Sequence, residues 1–166
     1  METSSLLEEP IIENVGKLEL TRGIDLSDFS TDTYEEIVCT GVLEFIPGKE
    51  RGEFMDHCFR ILIDSGKMTI TVPYWSSWRA YYDGRFEWPP FCEQSFLVYN
   101  KSWRETNMKG FELECDFDFT YGYQAEAETA ARNDESRSFY IKHYTNCVDA
   151  LHLMLTKRTP DESNNS

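Results

Sequence analysis

The sequence predicts an α/β fold, a mixed sheet that ends in an antiparallel hairpin. Three observations carry this prediction. An apolar strand at 36–40 is followed by a helical stripe over 49–63 and an alternating strand that stops at Pro73. A cleaner alternation runs from Phe111 to Tyr121, with Phe111, Leu113, Cys115, Phe117 and Phe119 on one face and acidic residues on the other. A last alternation covers 148–156. Strand–helix–strand order followed by two late strands makes a sheet whose final pair is antiparallel.

Residues 1–16 read as an acidic tail, 17–158 as one domain and 159–166 as a second tail. Within the domain, 17–21 is a short strand ended by Arg22-Gly23, and 27–33 is rich in the Ser, Thr and Asp that favour turns. The strand at 36–40 exits at Gly41, and Pro47-Gly48 breaks the chain before the helix. Phe54, Met55, Cys58, Phe59 and Leu62 share one helical face, directed at a sheet. Ser65-Gly66 is expected to end that helix through a left-handed cap. Met68, Ile70 and Val72 alternate on the next strand. Residues 74–91 are irregular and aromatic, and a connector of that length is usually functional or a lid. Residues 93–107 read as a helix and 125–144 as partly helical.

The chain has 166 residues, enough for one core without staples. Eleven Phe, nine Tyr and four Trp supply rings that serve equally in a core and in a pocket. The five cysteines form no CxxC pair or Cys/His cluster, so no metal is expected and reduced thiols in a cytoplasmic protein are. Neither a membrane span nor a signal peptide is predicted. Net charge is −14, and residues 1–56 hold 14 acidic against 4 basic side chains. Such a surface repels phosphate backbones, which disfavours direct nucleic-acid binding.

One stretch carries a family resemblance. Val42-Leu43-Glu44-Phe45-Ile46-Pro47, then Arg60-Ile61-Leu62-Ile63-Asp64-Ser65-Gly66, then Val72-Pro73 resembles the fourth strand, following helix and fifth strand of a class I S-adenosylmethionine-dependent methyltransferase. The approach, from Leu18 to Leu26 and from Asp32 to Ile37, resembles that family's segment from third to fourth strand. The ending, 146–158, resembles its last strand. The resemblance covers most of 17–158 and implies a truncated, Rossmann-like version of the fold.

It also implies roles. S-adenosylmethionine is the expected cofactor, with Glu19, Gly41 and Leu43 beside it. Glu44 and Tyr74 are the candidate catalytic groups. Trp75, Trp78 and Tyr81 are expected to stack on a substrate, with Asp83 and Arg85 orienting it. Each has a plainer reading: Glu44 as a helix-entry carboxylate, the rings as a cover over the sheet, Asp83–Arg85 as a surface salt pair. The family's glycine-rich loop has no counterpart, since no two glycines stand as Gly-x-Gly. Two functions follow: methyl transfer through a reduced cofactor site, or a catalytically inactive binding protein using the acidic surface or aromatic loop. In that family the fourth strand lies between the first and fifth. Without the first, the edge at 36–40 needs a cover: the 17–21 strand, the N-terminal segment, or a second subunit as a homo-oligomer or protein partner.

Overall fold

The computed structural model describes residues 13, 14 and 16–159, the first two as backbone only. The outer parts of both expected tails lie outside the described residues. Six strands make one sheet: β1 (Glu13–Asn14), β2 (Lys17–Glu19), β3 (Tyr34–Thr40), β4 (Leu62–Pro73), β5 (Phe117–Ala125) and β6 (Val148–Lys157). Their order is β1-β2-β3-β4-β6-β5, with β2, β3 and β4 parallel and the outer pairings antiparallel.

Alternation decides which face is buried. Leu18, Ile37, Met68, Leu155 and Phe119 stand opposite one another across five strands. The first four are fully buried and Phe119 packs against them. Their sequence neighbours Glu19, Val38, Thr69, Met154 and Thr120 form the corresponding row on the other face and are part-exposed or exposed. The buried face is covered by α1 (Arg51–Ile61), through Met55, Cys58 and Ile61, and by the segment around Phe96. The edge at 36–40 is paired by β2 of the same chain, with Lys17 opposite Glu36 and Glu19 opposite Val38. Among the described residues, no helix is long and apolar enough to cross a membrane.

Three elements depart from the sequence expectation. α1 does not end at Ser65-Gly66: it stops at Ile61, and Leu62 is already extended and opens β4. Ser65 and Gly66 instead lie in a bulge, because Tyr34 pairs with Leu62 while Glu36 pairs with Lys67. Ser65 takes the positive φ of 60°. Glycine is required next to it by space, since a Cβ at Gly66 would stand 2.8 Å from the Ile63 carbonyl oxygen.

The helix expected over 93–107 is two pieces, a 3₁₀ segment (Glu93–Tyr99) and α2 (Lys101–Asn107). Asn100 separates them with extended backbone and caps α2 by accepting the Trp103 amide at 3.0 Å. β5 begins at Phe117 rather than Phe111. The reason is Arg104, which is buried and donates to the Leu113 and Cys115 carbonyls at 2.8 and 3.0 Å. Asp56 of α1 accepts the Cys115 amide at 2.9 Å. These bonds hold 113–115 down on α1 and α2, so the alternating pattern extends beyond the ladder. Two short helices, α3 (Ala127–Ala130) and α4 (Asp134–His143), connect β5 to β6.

Candidate functional site

The parallel strands β2 and β3 end side by side, each followed by a glycine with positive φ: Gly23 at 78° and Gly41 at 71°. A Cβ at either position would meet nothing within 4 Å, so both turns present bare backbone to open space. Beside them lies a cleft of about 450 Å³ bounded by the loop after β2, the 3₁₀ turn Leu43–Phe45, and α1. Its apolar surface comes from Leu26, Val42, Phe45, Ile46 and Phe54. Asp25, Glu50, Glu53 and His57 form its polar rim. Among the described residues, no His/Cys/Asp/Glu group is placed to hold a metal ion. Arg22 enters the same cleft with its guanidinium 4.4 Å from the Phe45 ring centre.

Glu44 sits one residue before Phe45 and points the other way, into the protein. It is 8 % exposed, and its Oε2 has no hydrogen-bond partner. Burial pushes its carboxyl above the ordinary range, opposed by its own backbone amide and by the charges of Arg22 and Arg51. It borders a separate cavity of about 10 Å³, walled by Pro73, Ala80, Phe86, Glu87, Pro90 and Phe91. Phe45 and Phe86, 5.0 Å apart edge to face, stand between this cavity and the larger cleft.

The roof of the small cavity is the aromatic segment 74–91. Its base is closed by the Trp75 amide donating to the Phe91 carbonyl at 2.8 Å, and the Glu87 amide donates to the Glu44 carbonyl at 2.8 Å. Arg51, buried at the start of α1, holds the far limb. Nε donates to the Ile46 carbonyl at 2.9 Å, Nη1 to Pro89 at 2.6 Å and Nη2 to Glu87 at 2.9 Å.

The expected substrate residues fall on the outside of this segment. Trp75, Trp78 and Tyr81 are each about half exposed, and Tyr81 donates its hydroxyl to the Trp75 carbonyl at 2.8 Å. Asp83 and Arg85 make a two-pronged ion pair, 2.9 Å from Nε to Oδ1 and 2.6 Å from Nη2 to Oδ2. Arg85 Cζ lies 5.6 Å from the Phe45 ring, so the pair sits by the partition. Tyr74 is buried elsewhere. Its ring meets Tyr123 at 5.5 Å, and its hydroxyl donates to Glu93 at 3.3 Å. Burial raises the Tyr74 phenol, and the nearby Glu93 carboxylate raises it further.

The structure thus brings Glu44, Asp83 and Arg85 around Phe45. It does not place Tyr74 on the Glu44 cavity, nor Glu19, Gly41 or Leu43 on the cleft: Glu19 is exposed on β2, Gly41 ends β3 and Leu43 is a core residue. Cys39, Cys58 and Cys115 are buried thiols held up by burial, Cys39 to about 12, so they are inert. Sequence reasoning missed Arg22, Arg51 and Phe86. Arg51 carried a legible signal, because a cation in a helix's first turn opposes the dipole and needs a specific partner.

No protein-family model matches the chain, and no curated protein matches it by sequence. Solved structures do match. A SAM-dependent methyltransferase from Methanosarcina mazei aligns at 15% identity over 80% of this chain and 63% of its own, with a TM-score of 0.45. A SAM-dependent methyltransferase from Archaeoglobus fulgidus aligns at 13% identity over 80% of this chain and 63% of its own, with a TM-score of 0.52. On the Archaeoglobus match, the fold is that of the class I S-adenosylmethionine-dependent methyltransferases. This chain spans 63% of the length of that protein.

Proposed function

We propose that this protein is an S-adenosylmethionine-dependent methyltransferase whose cofactor occupies the cleft at the carboxyl ends of β2 and β3. The observation that carries the reading is the position of that cleft. In open α/β sheets ligands bind outside the carboxyl ends of parallel strands, and this cleft of about 450 Å³ lies there. Its volume is within the roughly 300–1,000 Å³ usual for small-molecule sites.

The residues present suit the group. Gly23, on the cleft, leaves its turn open to a close approach. Asp25, Glu50 and Glu53 are acceptors for hydroxyls or an ammonium, Phe45 and Phe54 supply apolar surface, and Arg22 is a cation for a carboxylate. Bound there, the cofactor supplies an activated methyl group. The chain supplies position. Trp75, Trp78 and Tyr81 offer ring faces to the substrate, and Asp83–Arg85 fixes the loop beside Phe45. The free thiols agree with a cytoplasmic setting.

Calorimetric titration with S-adenosylmethionine and S-adenosylhomocysteine tests this. Saturable heat, lost in Phe45→Ala and Arg22→Glu, is expected. No heat and no thermal shift at millimolar ligand would leave the binding-protein function instead.

A further inference from the structure

The small cavity under the aromatic segment has a one-sided chemistry. Two of its lining residues carry carboxyl groups, Glu44 and Glu87. The other five, Pro73, Ala80, Phe86, Pro90 and Phe91, carry no polar side-chain atom. No donor side chain lines it. Arg22 and Arg51 are the cations whose charge reaches Glu44. Arg22 lies over Phe45 in the larger cleft, and the three nitrogens of Arg51 donate to the Ile46, Pro89 and Glu87 carbonyls while its guanidinium stacks on Phe91 at 4.2 Å. Neither gives Oε2 a hydrogen bond. The remaining arginines of the segment are used as well, Arg79 by Asp149 at 2.7 Å and Arg85 by Asp83 at 2.6 Å.

Within this setting Glu44 Oε2 is buried without a partner. A buried carboxyl oxygen left unmatched is costly and calls for a donor. The cavity, about 10 Å³, admits roughly one water-sized group. An ammonium nitrogen has that size, brings three donors and cancels charge, whereas a phosphate or carboxylate head would add negative charge beside Glu44. A row of rings leads outward from the cavity wall. Phe86 meets Tyr82 at 5.5 Å, and Tyr82 meets Trp78 at 5.5 Å, both of the outer two being exposed.

We infer that the cavity is the head-group subsite for a primary amine, bound as an ammonium on Glu44 with its apolar body along Phe86, Tyr82 and Trp78. The subsite goes beyond the methyltransferase reading, because Phe45 and Phe86 stand between it and the proposed cofactor cleft. The charged groups acting on Glu44 are Arg22 and Arg51, Glu87 borders the same cavity as an exposed residue, and Cys39 lies within the field of Glu44.

Binding of tyramine, 4-ethylphenol and 3-(4-hydroxyphenyl)propionate, measured by calorimetry without cofactor, tests the inference. These probes share a phenol and differ in carrying an ammonium, nothing or a carboxylate. Tyramine is expected to bind at least tenfold more tightly than either of the others. In Glu44→Gln that preference is expected to fall about tenfold, while the fold, checked by thermal melting, persists. Ala80→Val, which fills the cavity and leaves Glu44 intact, is expected to abolish tyramine binding. Equal binding of the three probes, tighter binding of the propionate, no binding at all, or a preference that survives in Glu44→Gln would each overturn the amine subsite. A parallel S-adenosylhomocysteine titration reports on the cofactor cleft alone. Heat there without an amine preference refutes the subsite but not the methyltransferase reading, and the reverse outcome refutes only the latter.

Discussion

The guanidinium of Arg51 lies 4.2 Å from the centre of the Phe91 ring, while its nitrogens reach three carbonyls at 2.6 to 2.9 Å. One side chain therefore joins the 3₁₀ turn bearing Glu44, the start of α1 and the far limb of the aromatic segment. A lysine cannot reproduce this fork. Arg51→Lys is expected to cost about 2–4 kcal/mol in urea unfolding, from the loss of charge-assisted hydrogen bonds. It should also speed proteolytic cleavage within 74–91. A variant matching the parent in both measurements would show that Arg51 does not hold the segment.

Glu44 sets a pH dependence whose sign can be worked out. Its folded pKa is raised above the ordinary 4.5, chiefly by burial. The folded protein then holds this proton more tightly than the unfolded chain does. The group's contribution is full below 4.5 and is lost as pH climbs through the raised value. Glu44→Gln carries no such titration. The stability of the parent minus that of Glu44→Gln should fall as pH rises through that window and level off above it. Parallel stability curves from pH 4 to 8 would contradict the burial effect.

The Asp83 carboxyl is held down to about 2, first by the side-chain hydrogen bond from Arg85 and then by the Arg85 amide. Carbon-13 NMR titration should find it there in the parent. In Arg85→Met it should move back toward 3.8. An unchanged titration would mean that the pair does not persist in solution.

Two glycines separate space from backbone conformation. Gly66→Ala brings a Cβ to 2.8 Å from the Ile63 carbonyl oxygen, and the forced shift is expected to cost about 1–3 kcal/mol. Gly41→Ala meets open space but must hold a φ of 71°, a cost of about 1 kcal/mol. Thermal melting should rank Gly66→Ala as the more damaging. The reverse order would mean that the bulge relaxes easily.

Leu18 is fully buried at the centre of β2. Leu18→Lys should detach the strand and uncover the β3 edge, which is then free to pair with another copy. Size-exclusion chromatography should show concentration-dependent association. A monomer at all concentrations would show that β2 is not what guards the edge.

Much of this fold was legible from period alone. The β4 and β6 alternations put Met68, Ile70, Val72, Leu151, Leu153 and Leu155 on the buried face as expected. The failures came from side chains acting at a distance. Phe111 to Phe117 alternates cleanly, yet its first half is drawn off the sheet by Arg104 and Asp56, which no local pattern reveals. Ser65-Gly66 resembles a helix stop, but the same residue types also suit a bulge, and only the β3–β4 register distinguishes the two. In the site, Glu44 was legible because it follows a strand end. The cleft was not, because Arg22, Phe45 and Phe54 become neighbours only once β2 lies beside β3.

The sheet order has a consequence for synthesis. β6 is the last described strand to leave the ribosome, yet it lies between β4 and β5. Until it arrives, β5 has no ladder to join, and Phe117 and Phe119 have no strand beside them. The unit from β2 to β4 rests on closer contacts along the chain and can form earlier. A nascent chain halted before Val148 would therefore present an aromatic strand seeking an edge, the kind of species that chaperones capture.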